Sequence, residues 1–182
     1  MVEFPDYSTS TVPREIITGL RVSGIGIALE GSELAAVKTR AGGTIGHRGD
    51  AATALSWLCF HGINPEGDWV LWLMSGEMDG DSVGGFRWQS IGHATEVDRR
   101  CQTLPEGQGG VELPVPLRLG MGEAGVLDTL GHPTNRLGNT LLYLHEHEGK
   151  IRNEPYTAMN TVAVLLRGGV VWAIEVWKST TD

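Results

Sequence analysis

The sequence lacks the features that mark proteins that bind nucleic acids. Its 182 residues include 14 Lys and Arg against 22 Asp and Glu, which gives a net charge of −8, and they contain no basic run. A partner with a phosphate backbone is therefore not expected, because clustered cations are what hold such partners. The acidic balance favours a soluble protein, or a protein partner with a basic face.

Long apolar runs are also missing. The longest, TVAVLLRGGVVWAIEVW at 161–177, is interrupted by Arg167, Gly168 and Gly169. About 20 consecutive apolar residues are needed to cross a bilayer. The run therefore predicts a β-hairpin, and no transmembrane segment is expected.

The first residues, MVEFPDYSTSTVPREI, have neither the basic nor the apolar region of a signal peptide. Two interpretations follow. Either the protein is cytoplasmic, or it is periplasmic or secreted and a leader has been removed, with Met1 supplied for expression.

Cysteine is scarce. Cys59 falls in an expected strand, and Cys101 follows Arg99 and Arg100 in a polar segment. In an oxidising compartment a bridge between them would stabilise the fold by about 4 kcal/mol. The alternative is two unrelated thiols, and two cysteines do not decide between these interpretations.

Glycine is abundant, at 26 residues, which indicates many turns and a β-rich chain. Two short helices are expected, ELAAVKTR at 33–40 with Ser32 as its N-cap and EAGVLDTLG at 123–131. Gly42 and Gly43 end the first helix. The expected organisation is an N-terminal arm at 1–18, a first repeat at 19–92, a linker at 93–114 and a second repeat at 115–182.

The two expected repeats keep a spacing of about ninety residues. Leu29 aligns with Leu119, and Glu33 aligns with Glu123. Trp88 falls near Trp177. The shared order of helix, glycine stop, aromatic strand, apolar strand and final Trp strand indicates a duplication. It predicts an α+β fold, in which two tandem helix-plus-antiparallel-sheet repeats form one long curved sheet with helices on one face.

The second repeat carries a family resemblance in LRLGMGEAGVLDTLGHPT, LLYLHE and the final hairpin. The matching residues are Leu117, Gly120, Met121, Val126, Leu130, Gly131, Pro133, Thr134 and Tyr143. They resemble the small envelope domains of the SmpA/OmlA (BamE-like) type, and a tandem of two such units resembles the β-lactamase inhibitory protein family. That resemblance implies a saddle of antiparallel strands whose concave face grips a target protein. The first repeat lacks the Gly-x-Pro, and the cysteines do not follow the pairing within each repeat that this family has.

Motifs for catalysis and metal binding are weak. His145 and His147, at i and i+2 of a strand, are candidate metal ligands. The favoured interpretation is instead that both histidines lie on a solvated face of the sheet. No serine or cysteine lies in a nucleophile motif. The Asp- and Gly-rich segment 75–85 lacks the spacing of a calcium loop. No enzyme activity, catalytic residue, cofactor or metal site is predicted.

Aromatic residues with polar neighbours give the strongest functional indication. Strand alternation predicts one sheet face, rich in aromatic side chains with polar tips, as a protein-binding surface. Its expected members are Trp57, His61, Tyr143, His145, His147, Glu175 and Trp177. The alternative is that these aromatic residues fill the seam between the two repeats.

The sequence therefore predicts a non-catalytic protein-binding module. The favoured function is that of an inhibitor or immunity protein that covers a target enzyme or toxin with its concave sheet face. The alternative is a structural assembly factor of the bacterial cell envelope. The favoured location is periplasmic or secreted, and cytoplasmic is the alternative.

Overall fold

The computed structural model describes residues 17–50, 53–63, 67–91, 101–104, 110–151 and 154–181. Two α-helices lie within these ranges, α1 (Leu34–Ala41) and α2 (Glu123–Leu130), with a short 3-10 helix at Glu77–Asp79. The strands are β1 (Gly19–Val22), β2 (Ile25–Ala28), β3 (Ile45–Arg48), β4 (Leu55–Gly62), β5 (Trp69–Gly76), β6 (Gly85–Ser90), β7 (Gln102–Thr103), β8 (Val111–Glu112), β9 (Asn135–Leu137), β10 (Thr140–Ile151), β11 (Glu154–Arg167) and β12 (Val170–Thr181).

The fold is β-rich, and the α+β class expected from the sequence is wrong. Strands make up 57% of the structure and helices 13%. The two α-helices have eight residues each, whereas β10, β11 and β12 have twelve, fourteen and twelve. Elements this short cover part of a sheet and do not form a helical layer equal to it.

One large antiparallel sheet dominates the molecule. Its strand order is β3-β4-β5-β6-β12-β11-β10-β9, and β7 adds to the edge of β4 beyond β3 in the one parallel pairing found among the described strands. Helix α1 precedes β3 to β6 and α2 precedes β9 to β12, so the two halves of the sheet have the same element order. They meet where β6 pairs with β12. The duplication inferred from the sequence stays a prediction.

A three-stranded sheet, β2-β1-β8, packs on the same core. Strands β7 and β8 lie within 93–114, so the segment expected as a linker contributes to both sheets. Most of the expected N-terminal arm, residues 1–16, lies outside the described residues. Ile17, however, is fully buried, and its backbone exchanges hydrogen bonds with the side chain of Asn160.

The core side of the large sheet, here called the helix face, consists of two continuous rows of paired side chains. The first row runs Leu58, Leu73, Phe86, Val176, Val162 and Tyr143. The second runs Phe60, Leu71, Trp88, Ile174, Val164 and Leu141. All twelve are buried and belong to the same cluster as Val37 and Val126 of the two helices. Apolar burial of this extent is the main force that holds sheet and helices together.

Both helices end at a glycine. Gly42 and Gly131 have φ of 79° and 77°, and their N–H groups bond to the carbonyls of Lys38 and Leu127. This left-handed conformation costs glycine little. At the other end of α1 the N-cap is Glu33, not Ser32 as expected. The Ser32 hydroxyl accepts a hydrogen bond from the Ala28 N–H instead. No helix among the described residues has the length and apolar character that crossing a membrane requires.

Four glycines in the large sheet lie directly opposite an aromatic residue. The pairs are Gly46 with Trp57, Gly62 with Trp69, Gly85 with Trp177 and Gly149 with Tyr156. In each pair the aromatic ring occupies the space where a Cβ atom of the glycine would be. Such pairs let a large ring lie flat on the neighbouring strand. The glycines are therefore packing positions as well as turn positions.

A Cβ atom at Gly62 would overlap the ring of Trp69, which is buried. We expect Gly62→Ala to lower the free energy of unfolding by about 1–3 kcal/mol, because an overpacked core must shift its neighbours. The matched control is Gly26→Ala, a strand glycine of β2 whose Cβ atom would meet nothing within 4 Å. It should stay within about 0.5 kcal/mol of the parent. Equal urea-unfolding curves for the two variants would contradict the packing role.

A disulfide joins Cys59 to Cys101 with a Cα–Cα distance of 4.5 Å. It closes a loop whose ends are 42 residues apart. The bond fixes β7 beside β4 across a segment that is partly outside the described residues. The sequence left open whether the two cysteines are bridged, and in the structure they are.

Replacing both cysteines by alanine should lower the free energy of unfolding by about 4 kcal/mol, because the unfolded chain regains the entropy that a closed loop denies it. The measurement is chemical unfolding of the Cys59→Ala/Cys101→Ala variant beside the oxidised parent. Reduced parent protein should match the variant. A variant as stable as the oxidised parent would show that the bridge contributes nothing to the fold.

Candidate protein-binding face

The face of the large sheet opposite the helices, here called the open face, also consists of paired rows. One row runs Trp57, Met74, Gly85, Trp177, Thr161 and Leu144. The next runs Cys59, Trp72, Arg87, Glu175, Ala163 and Leu142. These rows cross six strands and both halves of the sheet. The open face is thus continuous in the same way as the core.

The open face differs from the helix face in burial. Trp57, Trp72, Met74 and Trp177 are half-buried, and Met159 of β11, further along the same face, is 42% exposed. The described helices pack on the other side. Large aromatic and thioether side chains that remain partly accessible are characteristic of surfaces that bind other proteins.

A polar network occupies the centre of the open face, where the two halves meet. Arg87 of β6 forms an ion pair with Glu175 of β12, with 3.1 Å between Nη1 and Oε2. The second carboxylate oxygen, Oε1, accepts a hydrogen bond of 2.9 Å from the indole N–H of Trp177. Arg87 also donates through Nε to Gln89 at 3.0 Å. Arg87 and Glu175 neutralise each other, so a partner can cover this network without leaving an unpaired charge.

A β-bulge places Trp172 beside this network. Leu165 pairs with Ala173 and Leu166 with Val171, so Trp172 is the extra residue of β12. The guanidinium of Arg167 lies 4.4 Å from the centre of the indole ring, and that of Arg87 lies 5.7 Å from it. Both distances are within the range of cation–π attraction. Bulges turn a side chain out of its regular position, and this one sets an aromatic ring within reach of two cations.

The sequence-predicted binding residues divide between the two faces. Trp57, His61, Glu175 and Trp177 lie on the open face, in the rows defined above or the adjacent one. Tyr143, His145 and His147 share a face with one another, as expected, but it is the helix face. The single surface expected for all seven side chains therefore does not form.

Tyr143 is a core residue. It is 1% exposed, and its hydroxyl donates a hydrogen bond of 3.1 Å to the carbonyl of Gly131 at the end of α2. Burial raises the pKa of Tyr143 to about 12, and the nearby Glu123 carboxylate adds to the effect. The aromatic ring and its polar tip, which indicated a binding residue in the sequence, serve here to fix the helix on the sheet.

The three histidines of the prediction have separate surroundings. His147 makes an edge-to-face contact with Tyr156, with ring centres 6.0 Å apart. His145 is half-buried and pairs across the sheet with Asn160. The Nε2 atom of His61 lies 3.9 Å from Asp68 Oδ2. In the described part of the chain, no three His, Cys, Asp or Glu side chains are grouped so as to hold a metal ion.

Sequence reasoning missed Trp72, Met74, Arg87 and Trp172 as members of the candidate site. Trp72 and Met74 belong to the run WVLWLM, which is apolar on both sides and gives no sign of which side is covered. In β6 the polar Arg87 lies between the apolar Phe86 and Trp88, and this alternation of polar and apolar residues is the local signal that places Arg87 on the open face. The position of Trp172 depends on the bulge, and no pattern in the sequence indicated that bulge.

Comparisons of the chain with protein-family models, curated proteins and solved structures find no match. The resemblance to SmpA/OmlA domains and to the β-lactamase inhibitory protein family therefore stays a prediction.

The buried state of Tyr143 can be tested by alkaline titration. The folded pKa of about 12 exceeds the ordinary value of 10.0. The contribution of this shift to the free energy of unfolding is therefore complete below about pH 10 and is lost as the pH rises through about 12. Phenolate absorbance should show one late ionisation that Tyr143→Phe removes and Tyr156→Phe retains. A Tyr143→Phe variant that keeps the late step would contradict the assignment.

Proposed function

We propose that this protein is a non-catalytic binding module that docks its open face on another protein, as an inhibitor or immunity protein does. The observation that carries the proposal is the pair of continuous rows on the open face. These rows combine half-buried Trp57, Trp72, Met74 and Trp177 with the Arg87–Glu175 network.

The open face has the size that a specific interface requires. Five spacings of about 4.8 Å between β4 and β10 make it about 24 Å wide, and its strands at about 3.4 Å per residue are about 20 Å long for the six residues of β6 and about 40 Å long for the twelve of β12. A standard interface buries about 800 Å² on each partner. One partner domain can therefore cover the central rows completely.

Charge supports a basic partner. The chain has a net charge of −8, so its field attracts cationic surfaces and speeds the encounter. At the centre of the open face, however, Arg87 and Glu175 already neutralise each other. The net charge of the chain therefore provides the long-range attraction, whereas the aromatic side chains of the open face provide the close contact.

The Cys59–Cys101 bridge supports a periplasmic or secreted location, because disulfides persist in oxidising compartments. Cys59 lies in the same row as Trp72. The bridge therefore also fixes the border of the proposed interface.

Trp72→Ala tests the proposal most directly, because Trp72 pairs with Arg87 at the centre of the open face. Its ring does not pack on a glycine in any of the described Gly–aromatic pairs, so the substitution leaves those pairs intact. A partner isolated with the parent chain should bind this variant about 30-fold more weakly or worse, the loss expected for a central aromatic residue. The matched control is Leu137→Ala on the edge strand β9, where the side chain is 61% exposed. Its affinity should stay within about threefold of the parent's.

Both variants are compared with the parent by calorimetric titration, after thermal melts show that each is folded. If the partner is an enzyme or toxin, the parent should suppress its activity and Trp72→Ala should fail to do so. Equal affinity of Trp72→Ala and the parent would overturn the proposal. Recovery of membrane-assembly proteins in permanent association would favour the envelope assembly factor instead.

A further inference from the structure

The core is open at one end of the large sheet. A cavity of about 540 Å³, here called the end cavity, lies where the beginning of β5 and the end of β6 approach the beginning of β12 and the segment 118–120. Its volume falls within the range of small-molecule sites. The residues that matter for recognition are Trp69, Trp88, Ser90, Arg118, Arg167 and Trp172.

Aromatic rings form the apolar part of the end cavity. Trp69 and Trp88 meet edge to face, with ring centres 6.4 Å apart, and both belong to the core cluster. The bulge adds Trp172 to the lining. Flat aromatic walls favour a ligand with a flat apolar body.

Trp88 has an unmet hydrogen-bonding capacity. Its side chain is 7% exposed, and its indole N–H has no hydrogen-bond partner among the described residues. A buried donor without a partner is unusual, because it loses its bonds to water and gains none. The nitrogen itself is covered by protein atoms, so Trp88 contributes its ring to the wall of the end cavity and does not offer its N–H to a ligand there.

The cationic part of the end cavity consists of Arg118 and Arg167. Both are exposed, and neither forms an ion pair with a described carboxylate. Arg167 is held over Trp172 instead. Asp68 is the one described carboxylate in the lining, and it lies near His61 Nε2, at 3.9 Å. Two arginines that lack an ion-pair partner among the described carboxylates, in a chain of net charge −8, favour an anionic head group at this place.

Backbone hydrogen bonds hold the walls in position. Gly120 N–H donates to Val171 O, and Val171 N–H donates to Met121 O, both at 2.8 Å. On the other side Ile91 N–H donates to Asp68 O at 3.0 Å. Walls that are already tied together need little rearrangement on binding.

We propose that the end cavity binds a small-molecule carboxylate with a flat aromatic body, its head group at Arg118 and Arg167 and its rings against Trp88 and Trp172. This goes beyond the proposed function, because the end cavity is a site for a small molecule and the open face is a surface for a protein.

The test uses naphthalene-2-carboxylate as the probe and the folded full chain labelled with ¹⁵N. Each of the six tryptophans contributes one indole N–H signal to a two-dimensional NMR spectrum, and single Trp→Phe variants assign the signals. Titration should shift the signals of Trp88 and Trp172 saturably, with a Kd below about 1 mM, and should leave that of Trp57 in place. The neutral analogue naphthalene-2-carboxamide should bind at least about tenfold more weakly, because it lacks the charge-assisted hydrogen bonds.

Two variants complete the experiment. Arg118→Gln/Arg167→Gln should weaken binding of the carboxylate by about tenfold or more. Arg48→Gln, which removes an exposed cation from β3 outside the cavity lining, should leave the affinity for the carboxylate within about twofold of the parent's.

The proposal is overturned if the Trp88 signal does not move at 5 mM probe (about 5 times the upper limit expected for the Kd), or if the carboxamide binds equally well. Equal shifts at Trp57 and Trp88 would also overturn it, since they would indicate non-specific association with aromatic surface. None of these outcomes bears on partner binding by Trp72.

Discussion

Five residue pairs between β6 and β12 unite the two halves of the large sheet. Without them each half would end in an exposed strand edge, with free N–H and C=O groups. On the helix face, the junction sets Trp88 beside Ile174 and Phe86 beside Val176, which makes the core continuous. On the open face, it sets Arg87 beside Glu175 and Gly85 beside Trp177. The core and the proposed interface therefore depend on the same short pairing.

The glycine pairs explain how tryptophans on a sheet surface can be both structural and available. The Trp57 and Trp177 rings lie against Gly46 and Gly85, where any larger residue would displace them. One side of each ring is thus held by the sheet, while the residue as a whole remains partly exposed. An aromatic ring that is fixed before binding loses little conformational entropy when a partner covers it. The abundance of glycine, which in the sequence indicated turns, has this second cause.

The sequence predicted local features better than long-range ones. Apolar spacing and glycine stops located both helices, and alternation assigned Tyr143, His145 and His147 correctly to one face. It did not show which face. That choice depends on the register from β10 through β11 and β12 to β6, between residues far apart in sequence. Tyr143 was misleading because a ring with a hydroxyl suits either a core position or a wet surface.

The prediction of the fold class was wrong for a related reason. Periodicity showed that the helices exist but gave no measure of how little of the sheet eight residues cover. The segment expected as a linker adds β7 and β8, whose two residues each are too few to show alternation. The bridge that fixes β7 joins cysteines 42 residues apart. Such pairings are set by three-dimensional proximity, which a single sequence does not display.

The Arg87–Glu175 pair fits the proposed binding role better than a role in stability. The two side chains are 32% and 30% exposed, and ion pairs of that exposure contribute about 0–1 kcal/mol to folding. Two leucine-like residues at these positions would stabilise the sheet at least as well, but they would leave an uninterrupted apolar surface that favours aggregation. A satisfied ion pair keeps the free protein soluble. It can also be buried by a partner without an unpaired charge, because Glu175 accepts from both Arg87 and Trp177. The polar centre therefore allows the aromatic rows to be exposed without a continuous apolar surface, and under the proposed function the shape of the tryptophans around it would discriminate between partners.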